Sequence, residues 1–143
     1  MDVKGALTVR VRWGYNSSRG KHMYELAVES QFDSAHNLRR YDGACEALHG
    51  HTYRVQVSYR GDQLDDRGIL VDFKRLKTAL AEIVSYLDHR YLNELPEFQE
   101  ENPTAENIAK MVFTRVRDLM DSGIVKATVW ETPTSSASYW ETD

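Results

Sequence analysis

Cys45-Glu46-Ala47-Leu48-His49-Gly50-His51-Thr52-Tyr53-Arg54-Val55-Gln56-Val57-Ser58-Tyr59 joins a candidate metal motif to a strand. From His49 onward, His49, His51, Tyr53, Val55, Val57 and Tyr59 share one phase, while Thr52, Arg54, Gln56 and Ser58 face the other way. That alternation predicts a β-strand with one buried face. Two histidines on the same side of a strand sit about 6.5–7 Å apart, a span that a metal ion bridges when the rings tilt inward. Gly50 between them lets other backbone approach. Upstream, Tyr24, Leu26, Val28 and Phe32 share a phase that runs on through Ser34 to His36. If the two strands pair antiparallel across a loop from about Asn37 to Leu48, His36 lies beside His49 and His51, with Cys45 on the loop. Three of the five histidines and the only cysteine thus fall within sixteen residues. The plainer alternative makes His36 a packing residue and the other two loop residues; the shared strand phase argues against it.

Before this pair, Leu7, Val9, Val11 and Trp13 alternate with polar residues and predict an additional N-terminal strand, Leu7–Trp13. A turn over Gly14 to Lys21 would fold it onto Tyr24–Phe32 as a hairpin. After the pair, Asp72 suits the N-cap of a helix with apolar positions Phe73, Leu76, Leu80, Ile83, Val84 and Leu87, ending near Leu87-Asp88-His89. Pro103 suits the first turn of a second helix, with Asn102 or Thr104 near its cap. Its stripe is Ile108, Ala109, Val112, Val116 and Leu119, closed by Gly123. Strands follow over about Val125–Glu131 and Ser136–Thr142. This order predicts an α+β fold, an antiparallel sheet with two helices on one face.

The chain has 143 residues, natural for a single domain. Its apolar (41%) and charged (28%) fractions suit a globular protein. A formal net charge of −4 gives no reason to expect nucleic acid or an anionic membrane as partner. No apolar run approaches the roughly 20 residues of a membrane span, and the opening Met1-Asp2-Val3-Lys4-Gly5 is too polar for a signal peptide. The single cysteine excludes an intrachain disulfide and fits a reducing cytoplasm.

Three nitrogen ligands with an open fourth position favour zinc, though imidazole also suits iron, copper and nickel. Cys45 is a candidate fourth ligand, bystander or nucleophile and base; cationic neighbours would lower its pKa. Glu46 beside it is either solvated or a second carboxylate in the same pocket. Asp88-His89 falls at a helix C-terminus, where the dipole favours a protonated imidazole. It is either a solvated helix end or a proton relay. Glu131 ends an apolar strand face and needs a partner there. That partner is either a guanidine-like ligand edge or an arginine of this chain.

Five pieces in order resemble the 6-pyruvoyltetrahydropterin synthase family: Phe32-Asp33-Ser34-Ala35-His36; Cys45 with His49-Gly50-His51; Leu87-Asp88-His89-Arg90-Tyr91-Leu92-Asn93; Asn102-Pro103-Thr104-Ala105-Glu106-Asn107; and Trp130-Glu131-Thr132-Pro133. The resemblance covers about Tyr24 to the C-terminus and makes residues 1–143 one domain with an N-terminal extension over 1–22. It implies a tunnelling fold, with a four-stranded antiparallel sheet and two helices between its second and third strands. Three subunits would close a barrel and two trimers would stack into a homohexamer, with active sites at subunit interfaces.

By the same resemblance, His36, His49 and His51 hold Zn2+. Cys45 is the base that takes a side-chain proton from 7,8-dihydroneopterin triphosphate, and Asp88 and His89 assist it and relay protons. Glu131 anchors the pterin's amino and ring N–H edge, and Thr104 and Glu106 shape the pocket. The three residues between Cys45 and His49 resemble the bacterial 6-carboxy-5,6,7,8-tetrahydropterin synthases of queuosine biosynthesis. These lyases release acetaldehyde and triphosphate. The Cys-Glu pair also resembles a subgroup combining the cysteine with a folate-branch glutamate that yields 6-hydroxymethyl-7,8-dihydropterin. The 6-pyruvoyl product, a pterin- or purine-binding module with structural zinc, and hydrolysis of a purine nucleotide are the remaining alternatives.

Overall fold

The computed structural model describes residues 23–142. The expected strand Leu7–Trp13 and its turn lie outside them. Strand β1 (Tyr24–His36) pairs antiparallel with β2 (His49–Gly61) along its whole length, from Tyr24 opposite Gly61 to His36 opposite His49. Strand phase fixes the parity of this register, because a one-residue slip of β2 against β1 would turn Val55 and Val57 away from the face that Val28 and Phe32 bury. Helix α1 (Phe73–Leu87) follows, then β3 (Arg90–Tyr91), α2 (Ala105–Met120), β4 (Ile124–Thr132) and β5 (Ser135–Tyr139). The sheet order is β3-β1-β2-β4-β5. The four long strands form the expected antiparallel sheet. The fifth, β3, is two residues long and lies parallel to β1 at Ser34 and Ala35.

Both helices pack on one face of the sheet and share its core. Phe32, Tyr53, Val55, Val57, Ala127 and Val129 meet Leu76, Leu80, Leu87, Ile108, Val112 and Val116, all nearly or fully buried. Burying each larger aliphatic or aromatic side chain contributes about 1.5–3 kcal/mol. Asp72 caps α1 by accepting from the Lys74 N–H at 2.8 Å. Thr104 caps α2 by accepting from the Asn107 N–H at 3.2 Å. Pro103 therefore precedes the cap rather than sitting in the first turn.

Four details differ from the sequence pattern. Phe73, the first residue of α1, is 51% exposed, and it lines an apolar groove with Tyr24, Leu64 and Ile69. Leu119 is exposed because the stripe of α2 closes on Met120, four residues after Val116. A register shift between Ser58 and Tyr59 sets Tyr59 opposite Ile124, so Ile124 and not Val125 enters the core. The last strand ends at Tyr139, short of Thr142. Gly123 makes the turn into β4 at φ +85°, and a Cβ there would lie 2.2 Å from the Tyr59 ring. Among the described residues, no helix is long and apolar enough to cross a membrane.

Candidate active site

His36 ends β1 and His49 begins β2, directly opposite each other, with His51 one repeat further along β2. The antiparallel pair therefore carries all three rings to one corner of the sheet. Within it, the Nε2 atoms of His36 and His49 are 3.0 Å apart. Oε1 of Glu131, near the end of β4, lies 2.9 Å from Nε2 of His51 and 3.2 Å from Nε2 of His36. One ligand atom from each of these four residues lies within 4.8 Å of the others.

Hydrogen bonds on the far side of two rings decide what the cluster can hold. Nδ1 of His36 is 2.7 Å from the Pro103 carbonyl oxygen, and Nδ1 of His49 is 2.7 Å from that of Ala47. A carbonyl only accepts, so each Nδ1 carries the proton and each Nε2 presents a lone pair. Two lone pairs then face one another beside a carboxylate. Nε2 of His51 is buried and makes no aligned hydrogen bond, despite its 2.9 Å approach to Glu131. Burial lowers the pKa of His51; Glu131 pulls it up, and His36 and His49 push it down further. The net direction favours the neutral imidazole that ligation requires. Acceptors gathered in this way could hold a cation, and three imidazoles with a carboxylate fit a divalent transition metal. The Tyr53 hydroxyl lies 3.1 Å from Nδ1 of His36 at the base of the cluster, and burial first, then Glu131, keeps its phenol protonated.

Outer contacts explain two asparagines in the sequence. Asn93 donates from its side chain to the Asn37 carbonyl at 2.9 Å, and its Oδ1 accepts from the Asn37 N–H at 3.0 Å. Asn102 makes the same reciprocal pair with Arg39, at 2.9 and 2.8 Å. The Arg39 guanidinium donates to the carbonyls of Asn93, Phe98 and Glu101. The segment after His36 is thus sewn to the segment before α2, which brings the Pro103 carbonyl to His36. Such second partners fix the tautomer and orientation of a ligating ring.

Asp88 and His89 leave α1 at the same end of the sheet. Oδ2 of Asp88 lies 2.8 Å from Nδ1 of His89, and its Oδ1 accepts from the Asp33 N–H at 2.9 Å. Bonding and attraction to Asp88 raise the pKa of His89, with Asp33 adding a smaller pull; the hydrogen bonds from Asp33 and His89 lower that of Asp88. Asp33 accepts from the Thr52 hydroxyl at 2.5 Å. Asp33, His51 and His89 line one groove of about 620 Å³. His89 and one histidine of the cluster thus line common space within one chain.

Cys45 and Glu46 lie in a one-turn 3-10 helix, Ala44–Glu46; Cys45 is half-buried and Glu46 exposed. The Cys45 carbonyl accepts from Leu38 N–H at 2.8 Å, tying this loop to the end of β1. Thr104 caps α2 and Glu106 is exposed in its first turn. Sequence reading did not include Asp33, Tyr53 or the Pro103 carbonyl in the site. Asp33 was visible within Phe32–His36, and a backbone carbonyl has no signature of its own.

The chain is similar to proteins of one known family. The family model described as 6-pyruvoyl tetrahydropterin synthase matches residues 25–142. The chain is 34% identical over 135 residues to 6-carboxy-5,6,7,8-tetrahydropterin synthase of Bacillus subtilis, covering 87% of this chain and 90% of that protein. It is 36% identical over 123 residues to the Synechocystis protein of the same name, covering 82% and 94%. Dihydroneopterin monophosphate aldolase of Pyrococcus furiosus is 35% identical over 108 residues, covering 74% and 88%. The solved structure of Caenorhabditis elegans 6-pyruvoyl tetrahydropterin synthase superposes with a TM-score of 0.77 at 26% identity, over 85% of this chain and 97% of that one. With its α+β sheet, paired helices and histidine corner, the chain belongs to the 6-pyruvoyl tetrahydropterin synthase family and is a pterin lyase of that family.

Proposed function

We propose that the protein is a zinc-dependent lyase converting 7,8-dihydroneopterin triphosphate to 6-carboxy-5,6,7,8-tetrahydropterin, with release of acetaldehyde and triphosphate, in queuosine biosynthesis. The observation that carries this reading is the corner where His36, His49 and His51 converge beside the groove that His89 lines. The relatives named 6-carboxy-5,6,7,8-tetrahydropterin synthase support this product over the 6-pyruvoyl one.

His36, His49 and His51 would hold the zinc. A zinc ion there supplies Lewis acidity to a substrate side-chain hydroxyl, just as it lowers the pKa of bound water from about 15.7 to about 7. Cys45 takes the side-chain proton, and Asp88–His89 holds and passes protons at Nε2 of the imidazole. Glu131, whose Oε1 reaches two of the cluster histidines, belongs to the metal end of the site in this reading. The same carboxylate anchors the ring's amino and N–H edge, with Thr104 and Glu106 shaping the pocket. Among the described residues β5 has a neighbour on one side only, and that edge supports the homohexamer with interfacial active sites, since it can pair with another copy. The lone thiol fits a cytoplasmic enzyme.

Glu46 favours a second reading. It follows Cys45 in the same short turn, and one relative is named as an aldolase of dihydroneopterin monophosphate. Two bases side by side support cleavage to 6-hydroxymethyl-7,8-dihydropterin. Mass spectrometry of products from 7,8-dihydroneopterin triphosphate separates the cases. The 6-carboxy product with acetaldehyde is expected from the wild type; a 6-hydroxymethyl product abolished in Glu46→Gln would replace the first reading with the second.

A further inference from the structure

Ser34 is a polar residue on the buried phase of β1, between Phe32 and His36, and is only 7% exposed. A buried hydroxyl there is unfavourable unless it is bonded. Its Oγ donates to the carbonyl of Leu87, the last residue of α1, and accepts from the Arg90 N–H at 3.3 Å. Those two groups bracket Asp88 and His89. Next to it, Asp33 accepts from the His89 N–H through its carbonyl at 2.7 Å and donates its own N–H to Asp88 Oδ1 at 2.9 Å. Two consecutive residues of β1 thus bond the whole turn that carries the relay pair.

The turn needs such holding. His89 sits at φ 53°, the left-handed region that a residue with a Cβ enters only when its surroundings impose it. The Leu87 carbonyl belongs to the last turn of α1, where helical partners run out. His89 itself is 79% exposed, so packing of its ring does not hold it. We propose that Ser34 is a positioning residue: by bridging Leu87 and Arg90, it holds His89 in its left-handed turn, with the imidazole against Asp88 and facing the groove shared with His51. This assignment rests on reading Asp88–His89 as the proton relay. The charged and titratable groups around His89 are Asp88 on its own turn, Asp33 on β1, Arg90 and Tyr91 on β3, and His51 across the groove.

The test uses the full-length, zinc-loaded protein with Ser34→Ala, and His89→Gln to assign the His89 proton resonance. Four readouts are compared: zinc content, the His89 titration by NMR, the kcat and KM values, and the pH profile of kcat. In Ser34→Ala, zinc is expected to stay stoichiometric while the His89 pKa falls toward the ordinary imidazole value of about 6.5. The alkaline limb of the profile should follow it. We expect kcat to drop on the order of 10- to 100-fold, as for a catalytic group misplaced by about an ångström, with KM little changed. The near-isosteric Ser34→Cys, a weaker bonding partner, should show the same shifts at smaller size; it decides the question if Ser34→Ala does not fold. An unmoved His89 titration overturns the proposal, and so does loss of zinc along with activity, which would make Ser34 a support of the metal strand. Absence of turnover in the wild type would refute the functional reading, while the titration would still decide the role of Ser34.

Discussion

At the scale of single residues, the proposed site separates groups that would hold an ion from groups that would move protons. His49 presents Nε2 to the cluster because its Nδ1 proton is taken by the Ala47 carbonyl. His49→Ala should therefore lose stoichiometric metal, whereas Cys45→Ala, outside the cluster, should keep it and lose turnover. Metal analysis beside product assay checks both, and full activity in metal-replete Cys45→Ala would refute the role given to the thiol. The Asp88–His89 pair has a definite pH signature. A raised His89 pKa means its contribution to stability is complete below the unfolded histidine value and is lost as pH rises through the folded one. The depressed Asp88 pKa means the reverse on the acid side: its contribution is present above the unfolded carboxylate value and is lost as pH falls through the folded one. NMR titration should show His89 above the ordinary value in the wild type and lower in Asp88→Asn. The convergence of His36, His49 and His51 was legible because the shared strand phase puts them on one face. The partners of His36 were not, since Pro103 enters through its backbone and Tyr53 reads as core.

At the scale of elements, two long strands position the histidine corner, and two side-chain amides hold the loops behind it. Asn93 is 7% exposed and satisfies both backbone groups of Asn37. Asn93→Ala leaves them without these partners and should destabilise the fold by about 1–3 kcal/mol, measured as a shift of the denaturation midpoint. Because the same seam presents Pro103 to His36, metal affinity should fall as well, on the order of 10- to 100-fold. Gly123→Ala meets both a positive φ and the Tyr59 ring, and should cost at least about 1 kcal/mol of stability. Element types followed from periodicity and capping residues. Periodicity did not show the bulge between Ser58 and Tyr59, which moves Ile124 into the core. Nor did it show β3, whose two residues are too few for a pattern and which pairs with Ser34 and Ala35.

At the scale of the whole molecule, among the described residues, both helices lie on a single face of one sheet, β1 is covered by β3 only at Ser34 and Ala35, and β5 has a neighbour on one side. Closure with other copies should appear as a trimer or hexamer by sedimentation, and a monomer at all working concentrations would contradict that assembly. The account stands or falls on the chemistry at the histidine corner. Its most direct test incubates the metal-replete protein with 7,8-dihydroneopterin triphosphate and identifies the products by mass spectrometry, before and after the metal is removed by chelation. The account predicts 6-carboxy-5,6,7,8-tetrahydropterin with equimolar acetaldehyde, lost on chelation and regained with zinc. Intact substrate recovered from the zinc-replete protein, or turnover indifferent to metal removal, would contradict it.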